Sequence, residues 1–151
     1  MSGPVPVSPL QAPEDDASLE QANQIFWSSL LRHIQAEMRG PVESILDVGC
    51  HYGGLLEKLA GLLRPESLTG IEPSDRSRER ALFRLRKLAP KVTLLPPERW
   101  GEVQTSSVSI LTCHEVLHLV EDLPDLFYHI ARVLRPEGTA FVVAGCHTEN
   151  P

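Results

Sequence analysis

Three cysteines, aromatic residues at 5% and a deficit of basic charge are what this 151-residue chain has little of. Three thiols cannot all pair within one chain, so no disulfide framework is expected, and a reducing, cytoplasmic setting is the expectation. Lys and Arg number 14 against 20 Asp and Glu, a net charge of −6. An acidic balance argues against a nucleic-acid footprint, which needs clustered positive charge. No run of about eighteen apolar residues occurs, so no spanning helix and no membrane partner is expected. The start also lacks the basic residues and apolar stretch of a secretory signal.

What is present is ordinary globular material, 42% hydrophobic and 23% charged, enough for one domain with a core. Residues 1–16 carry four prolines and few large apolar side chains. They are expected to form a flexible tail, with a single domain over residues 17–151. Phe26, Leu30 and Ile34 recur at helical spacing. They predict an amphipathic helix that Ser18 can cap and Gly40-Pro41 ends.

From there, short apolar runs alternate with helical stripes. Ser44–Val48, Leu68–Ile71, Val92–Leu95, Val108–Thr112 and Thr139–Val143 read as five strands. Between them, Leu55, Leu56, Leu59, Leu62 and Leu63 mark one helix, and residues from Asp75 to Leu88 a second. Leu126, Ile130, Val133 and Leu134 mark a third, ended by Pro136 and Gly138. Strands and helices alternating at this spacing predict an α/β fold, a mainly parallel sheet covered on both faces.

Ligands of such sheets bind outside the carboxyl ends of the strands. There the sequence places a glycine-rich turn, Asp47-Val-Gly-Cys-His-Tyr-Gly-Gly54, between the first strand and a helix. Its glycines let backbone approach a ligand at a helix N-terminus. Glu72 ends the second strand, 23 residues after Gly49. A carboxylate, which only accepts hydrogen bonds, suits the two hydroxyls of a ribose. The order of strand, glycine turn, helix and acid therefore predicts a nucleoside site, although GxGxxG of the dinucleotide-binding fold is not matched.

Three stretches, SILDVGCHYGGLLEKLA, LTGIEPSDRSRERA and SVSILTCHEVLHLVEDLPDLFYHIARVLRPEGTAFVV, resemble the class I S-adenosylmethionine-dependent methyltransferases. The likeness is greatest to the small-molecule branch related to ubiquinone and menaquinone biosynthesis, and runs from about Ser44 to Ala144. The resemblance implies a Rossmann-like doubly wound sheet of order 3-2-1-4-5. It implies an enzyme that uses S-adenosylmethionine to methylate a small-molecule acceptor and yields S-adenosylhomocysteine. It places Asp47, Gly49 and Gly53, with Cys50 and His51 of the same turn, around the methionine part, and Glu72 on the ribose. Cys113 and His114 would line the pocket near the sulfonium. His114 or His118 is the candidate base, since imidazole titrates near neutrality. The first helix would fold over the pocket in relatives.

The chain also departs from the family pattern. His51 stands where a glycine is usual, Ser109 where an aspartate is usual, and the adenine contact falls to Glu98 or Trp100. Relatives continue past the fifth strand, so the domain reads as C-terminally short with an open edge at Phe141–Val143. That edge is expected to pair with a second copy or a partner chain. The alternative reading is accordingly a methyltransferase-like binding or scaffold subunit, or a truncated fragment.

Other patterns are weaker. His114-Glu-Val-Leu-His118 spells the HExxH of zinc proteases, but it follows a buried strand. No metal is expected, yet Cys50-His51, Cys113-His114 and Cys146-His147 each follow a strand and form an alternative ligand set. The arginines at 76, 78, 80, 84 and 86 are expected on the solvated face of the second helix, whose buried side would be Leu82, Leu85 and Leu88.

Overall fold

The computed structural model describes residues 12–114 and 116–144, in two compact units divided after Glu37. The first holds one helix, α1 (Ala12–Glu37). It begins six residues before the expected start at Ser18, so residues 12–16 of the expected tail are helical. Pro13 suits a first helical turn, where its missing N–H would have no partner. The rest of that tail, residues 1–11, lies outside the described residues.

The second unit carries β1 (Ser44–Val48), α2 (Gly54–Leu63), β2 (Ser67–Ile71), α3 (Asp75–Leu85) and β3 (Lys91–Leu95). A 3₁₀ turn (Pro97–Glu102), β4 (Val108–His114), a second 3₁₀ turn (Leu117–Leu119), α4 (Leu123–Val133) and β5 (Leu134–Val143) follow. All five strands are parallel, in the order β3-β2-β1-β4-β5. That is the expected doubly wound sheet. The β1-α2-β2 and β2-α3-β3 crossovers step one way across it and β4-α4-β5 steps the other. Right-handed crossovers therefore put α2 and α3 on one face and α4 on the opposite one. The direction reverses between β1 and β4.

The α4 face shows how the core forms. Leu126, Ile130 and Val133, one stripe of α4, cluster with Leu46, Val48, Ile71, Leu95, Leu111 and Cys113. Each fully buried aliphatic side chain there contributes about 1.5–3 kcal/mol. Ile45, Leu68 and Ile110, all buried, alternate to the other face.

Helix ends follow local chemistry. Ser74 Oγ accepts the Ser77 amide at 3.2 Å to cap α3, and Asp122 caps α4 through the Asp125 amide at 3.0 Å, with Pro124 in the first turn. Leu134, expected inside the last helix, instead opens β5. Pro136 disfavours helical backbone at Arg135. A register shift between Val108 and Ile110 absorbs the Pro136-Glu-Gly138 step. Gly138 is required there, since a Cβ would lie 2.7 Å from the Val108 carbonyl oxygen.

Two further expectations are corrected. The buried row of α3 is Ser77, Ala81 and Leu85, while Leu82 and Leu88 are exposed. The small residues of that row let α3 approach the glycine turn, as a Cβ on Gly53 would come within 3.0 Å of Leu85. Trp100 does not wait to cover an adenine. It is buried in the α4-side core and stacks on His129 with ring centroids 5.3 Å apart. Arg132 locks this arrangement by donating to the carbonyls of Trp100 at 3.1 Å and Val103 at 2.7 Å.

Candidate functional site

The turn after β1 is shaped by three left-handed residues, Gly49 (φ 72°), His51 (φ 53°) and Gly53 (φ 82°). This conformation is open to glycine and costs other residues about 1 kcal/mol or more. Gly49 and Cys50 both donate to the Ile71 carbonyl, at 2.7 and 3.2 Å, which pins the turn across the end of β2. Gly53 caps α2, and its carbonyl accepts the Glu57 amide at 2.9 Å. A Cβ on Gly49 would collide with the side chain of Val116, so the glycine lets the segment after β4 close over the turn.

Glu72 follows β2 directly. Its side chain is only 8% exposed, and each oxygen accepts a backbone amide: Oε1 from His51 at 3.1 Å and Oε2 from Ser74 at 2.8 Å. Amide bonds to a carboxylate are charge-assisted and fix its orientation. One lone pair on each oxygen stays available to an incoming donor. His51, expected to depart from a usual glycine, thus takes a left-handed backbone and aims its amide at Glu72. Its exposed ring stacks on Tyr52 at 4.4 Å, and the Arg80 guanidinium lies 5.1 Å from the Tyr52 ring on this rim.

Asp47 is 3% exposed and accepts one bond, from Thr112 Oγ1 at 2.8 Å. The two residues are in register across β1 and β4. Burial raises its carboxyl to about 7; the Thr112 hydrogen bond opposes the rise and the charge of Glu72 adds to it. No residue-by-residue pattern flagged Thr112 or Ser74. The partners of Asp47 and Glu72 become visible only with the strand register.

Both described cysteines are buried thiols rather than exposed nucleophiles. Burial pushes Cys50 far up and Cys113 up to about 11, with Asp47 adding to both shifts. Cys50 packs where Gly70 has no side chain; a Cβ there would lie 2.5 Å from its sulfur. Cys113, paired with Val48, faces the α4-side core. It therefore lines the sheet interior rather than the face that carries Asp47 and Thr112. His114 ends β4 half-buried, and His118 is exposed in the second 3₁₀ turn.

The HExxH letters consequently do not share a helix, and Glu115 lies outside the described residues. Cys146 and His147 of the alternative metal set also lie outside them. Among the described residues, no group of three His, Cys, Asp or Glu side chains is placed to hold a metal ion. Three of the arginines in and after α3 are engaged within the chain, while Arg76 and Arg80 are exposed as expected. Arg84 pairs with Glu57 at 3.0 Å, Arg78 donates to the Glu72 carbonyl at 2.6 Å, and Arg86 lies over Phe83.

The site thus gathers the turn, Asp47, Glu72 and His114 at the carboxyl ends of β1, β2 and β4, beside the point where strand order reverses. A methyltransferase domain family matches residues 46–140, which contain all of it. The chain belongs to that family. It is 29% identical over 115 residues to the ubiquinone biosynthesis O-methyltransferase of Thiobacillus denitrificans, across 74% of this chain and 49% of the relative. The chain therefore spans about half the length of that curated relative. Among solved structures, a Methanococcus maripaludis protein superposes with TM-score 0.73 at 14% identity, covering 96% of this chain and 68% of the other. A Geobacter sulfurreducens S-adenosylmethionine-dependent methyltransferase, solved with S-adenosylhomocysteine, superposes with TM-score 0.60 at 23% identity. That match covers 77% of this chain and 46% of the other. Likeness at these identities establishes the shared fold. No described helix is long and apolar enough to cross a membrane.

Proposed function

We propose that the site binds S-adenosylmethionine and that the domain transfers its methyl group to a small-molecule acceptor. The observation that carries this reading is Glu72. A nearly buried carboxylate, held by the amides of His51 and Ser74, stands beside a glycine turn at the switch point of the sheet. It fits a ribose diol, which has two hydroxyl donors for two pre-aimed oxygens. The buried second oxygen of Asp47 fits the cofactor's ammonium group in the same way. Gly49, Cys50, His51 and Gly53 would form the wall around the methionine part, with His114 near the reacting centre. When bound, the cofactor supplies an activated methyl group. The protein's share is to align the acceptor and exclude water.

His114 is the stronger candidate for a base, because it ends β4 on the Asp47 side; His118 stands one short turn further on and is exposed. The acceptor class is supported by the Thiobacillus denitrificans relative, whose described activity is O-methylation in ubiquinone biosynthesis. The test is transfer of isotopically labelled methyl from S-adenosylmethionine to catechol-type acceptors. His114→Asn should lower turnover at least tenfold while leaving S-adenosylhomocysteine affinity within twofold. Loss of affinity with unchanged turnover per bound cofactor would remove the base assignment.

β5 pairs with β4 alone among the described strands, and Val142 is exposed. That open edge supports pairing with a second copy or a partner chain. Sedimentation of the purified chain tests it: a concentration-dependent dimer, lost on Phe141→Lys, supports edge pairing, and a strict monomer contradicts self-pairing.

A further inference from the structure

The helices α3 and α4 lie on opposite faces of the sheet, and each presents large apolar side chains to solvent beside charges of one sign. On α3, Arg76, Arg80 and Phe83 recur at helical spacing, so they share one side, away from the buried row of Ser77, Ala81 and Leu85. Phe83 is 68% exposed, and Leu82 beside it is exposed too. The Arg86 guanidinium lies 4.1 Å from the centre of the Phe83 ring, and exposed Lys87 follows it. Of the two exposed acids of this helix, Asp75 and Glu79, the first is paired with Arg78. The outer side of α3 is therefore basic, in a chain whose net charge is −6.

The start of α4 has the opposite sign. Leu123 and Phe127, one turn apart, are both exposed, and Leu119, just before the helix, is 72% exposed. Glu121, Asp122 and Asp125 are exposed among them. No Lys or Arg stands between Arg99 and Arg132 in the sequence, so nothing basic in this stretch offsets the three acids. Single exposed apolar side chains are ordinary, whereas apolar groups gathered within a charged rim mark an interaction surface.

We propose that this chain associates with itself, the outer side of α3 in one copy packing on the start of α4 in the next. A second copy is the occupant because one chain carries both halves of the contact, each apolar and the two opposite in charge. Complementary charge steers such an encounter and fixes its register. Since α3 and α4 lie on opposite faces of the sheet, each contact leaves one α3 and one α4 uncovered. The interface is therefore heterologous, and it adds copies rather than closing a dimer. The strand ends that carry Glu72 and the glycine turn belong to neither face, so this contact is independent of the cofactor reading. It is also distinct from pairing at the β5 edge.

The test is sedimentation velocity of the purified chain over a concentration series. The parent chain should form concentration-dependent species that grow beyond two copies. Two variants each disable one face: Phe83→Glu on α3 and Phe127→Lys on α4. Both side chains are exposed, so neither change opens the core. Each variant alone should lose about tenfold or more in this association, leaving at most a β5-edge dimer. Mixing them brings the intact α4 face of the first to the intact α3 face of the second, so the mixture should recover a complex that neither forms alone. Raising the ionic strength from about 0.1 M to about 1 M shortens the screening length from about 10 Å to about 3 Å and should weaken the parent's association. A monomeric parent, or one that stops at two copies, would overturn the proposal. So would association indifferent to salt, a variant that associates as the parent does, or two variants, both folded by circular dichroism, that fail to combine on mixing.

Discussion

The amide of His51 donates to Glu72 Oε1 at 3.1 Å, joining the non-glycine residue of the turn to the acid proposed to hold the ribose. The left-handed backbone of His51 (φ 53°) is what aims that amide. A bulky residue is therefore compatible with the turn, because its ring points out to stack on Tyr52 while its backbone does what a glycine would do.

Removing the Glu72 carboxylate removes both of the contacts proposed for the ribose. Charge-assisted hydrogen bonds of this type contribute about 1.5–3 kcal/mol each. Glu72→Ala should weaken S-adenosylhomocysteine binding by roughly a hundredfold or more, measured by calorimetric titration. Unchanged affinity would move the ribose elsewhere.

The Gly49 turn depends on an absent side chain. Gly49→Ala meets Val116 and must hold φ near 72°, so a loss of about 2–3 kcal/mol in chemical denaturation is expected. Adding Val116→Ala relieves the collision but not the backbone strain. The double variant should therefore recover part of the loss. Simple additivity of the two losses would show that the contact does not govern the turn.

Arg64 ends α2 with φ 47°, its amide donating to the Ala60 carbonyl at 2.9 Å. Glycine takes this C-cap conformation without a Cβ penalty. Arg64→Gly should raise stability by about 0.5–1 kcal/mol, seen as a rise of roughly 1–4 °C in Tm. A fall would mean that the Arg64 side chain holds the cap.

The buried Asp47 carboxyl also sets a pH dependence of folding. Its value is raised from 3.8 to about 7, so between these limits the native state holds a proton that the unfolded chain has lost. The associated stability is complete below about pH 4 and is lost as pH rises through 7. It reaches about 4 kcal/mol at most, since each tenfold change in proton affinity is worth about 1.4 kcal/mol. Asp47→Asn keeps an acceptor for Thr112 and cannot ionise. Urea denaturation at pH 4.5 and pH 7.5 should show the variant gaining on the parent chain as pH rises. A constant difference would place the Asp47 titration elsewhere.

Much of the fold can be read from the chain because its signals are local. Short apolar runs such as Ser44–Val48 are bounded by glycine or proline, and Leu55, Leu56 and Leu59 repeat with helical period. Glu72 and the glycine turn are legible for the same reason, since their order along the chain mirrors their place in space. What escapes a linear reading depends on partners distant in sequence. The Asp47–Thr112 bond spans 65 residues and follows from strand register. Trp100 looks available in a proline-rich loop until Arg132 and His129, from α4, close over it. The early start of α1 is hidden because prolines and acids describe a tail and a helix N-terminus equally well. Leu134 reads as helical by its apolar character, whereas Pro136 fixes it in a strand.

The central claim is that the turn after β1, together with Glu72, forms a working cofactor site. Calorimetric titration of the purified chain with S-adenosylhomocysteine tests it most directly. One site per chain with micromolar affinity is the predicted result; no heat of binding at millimolar ligand would contradict it.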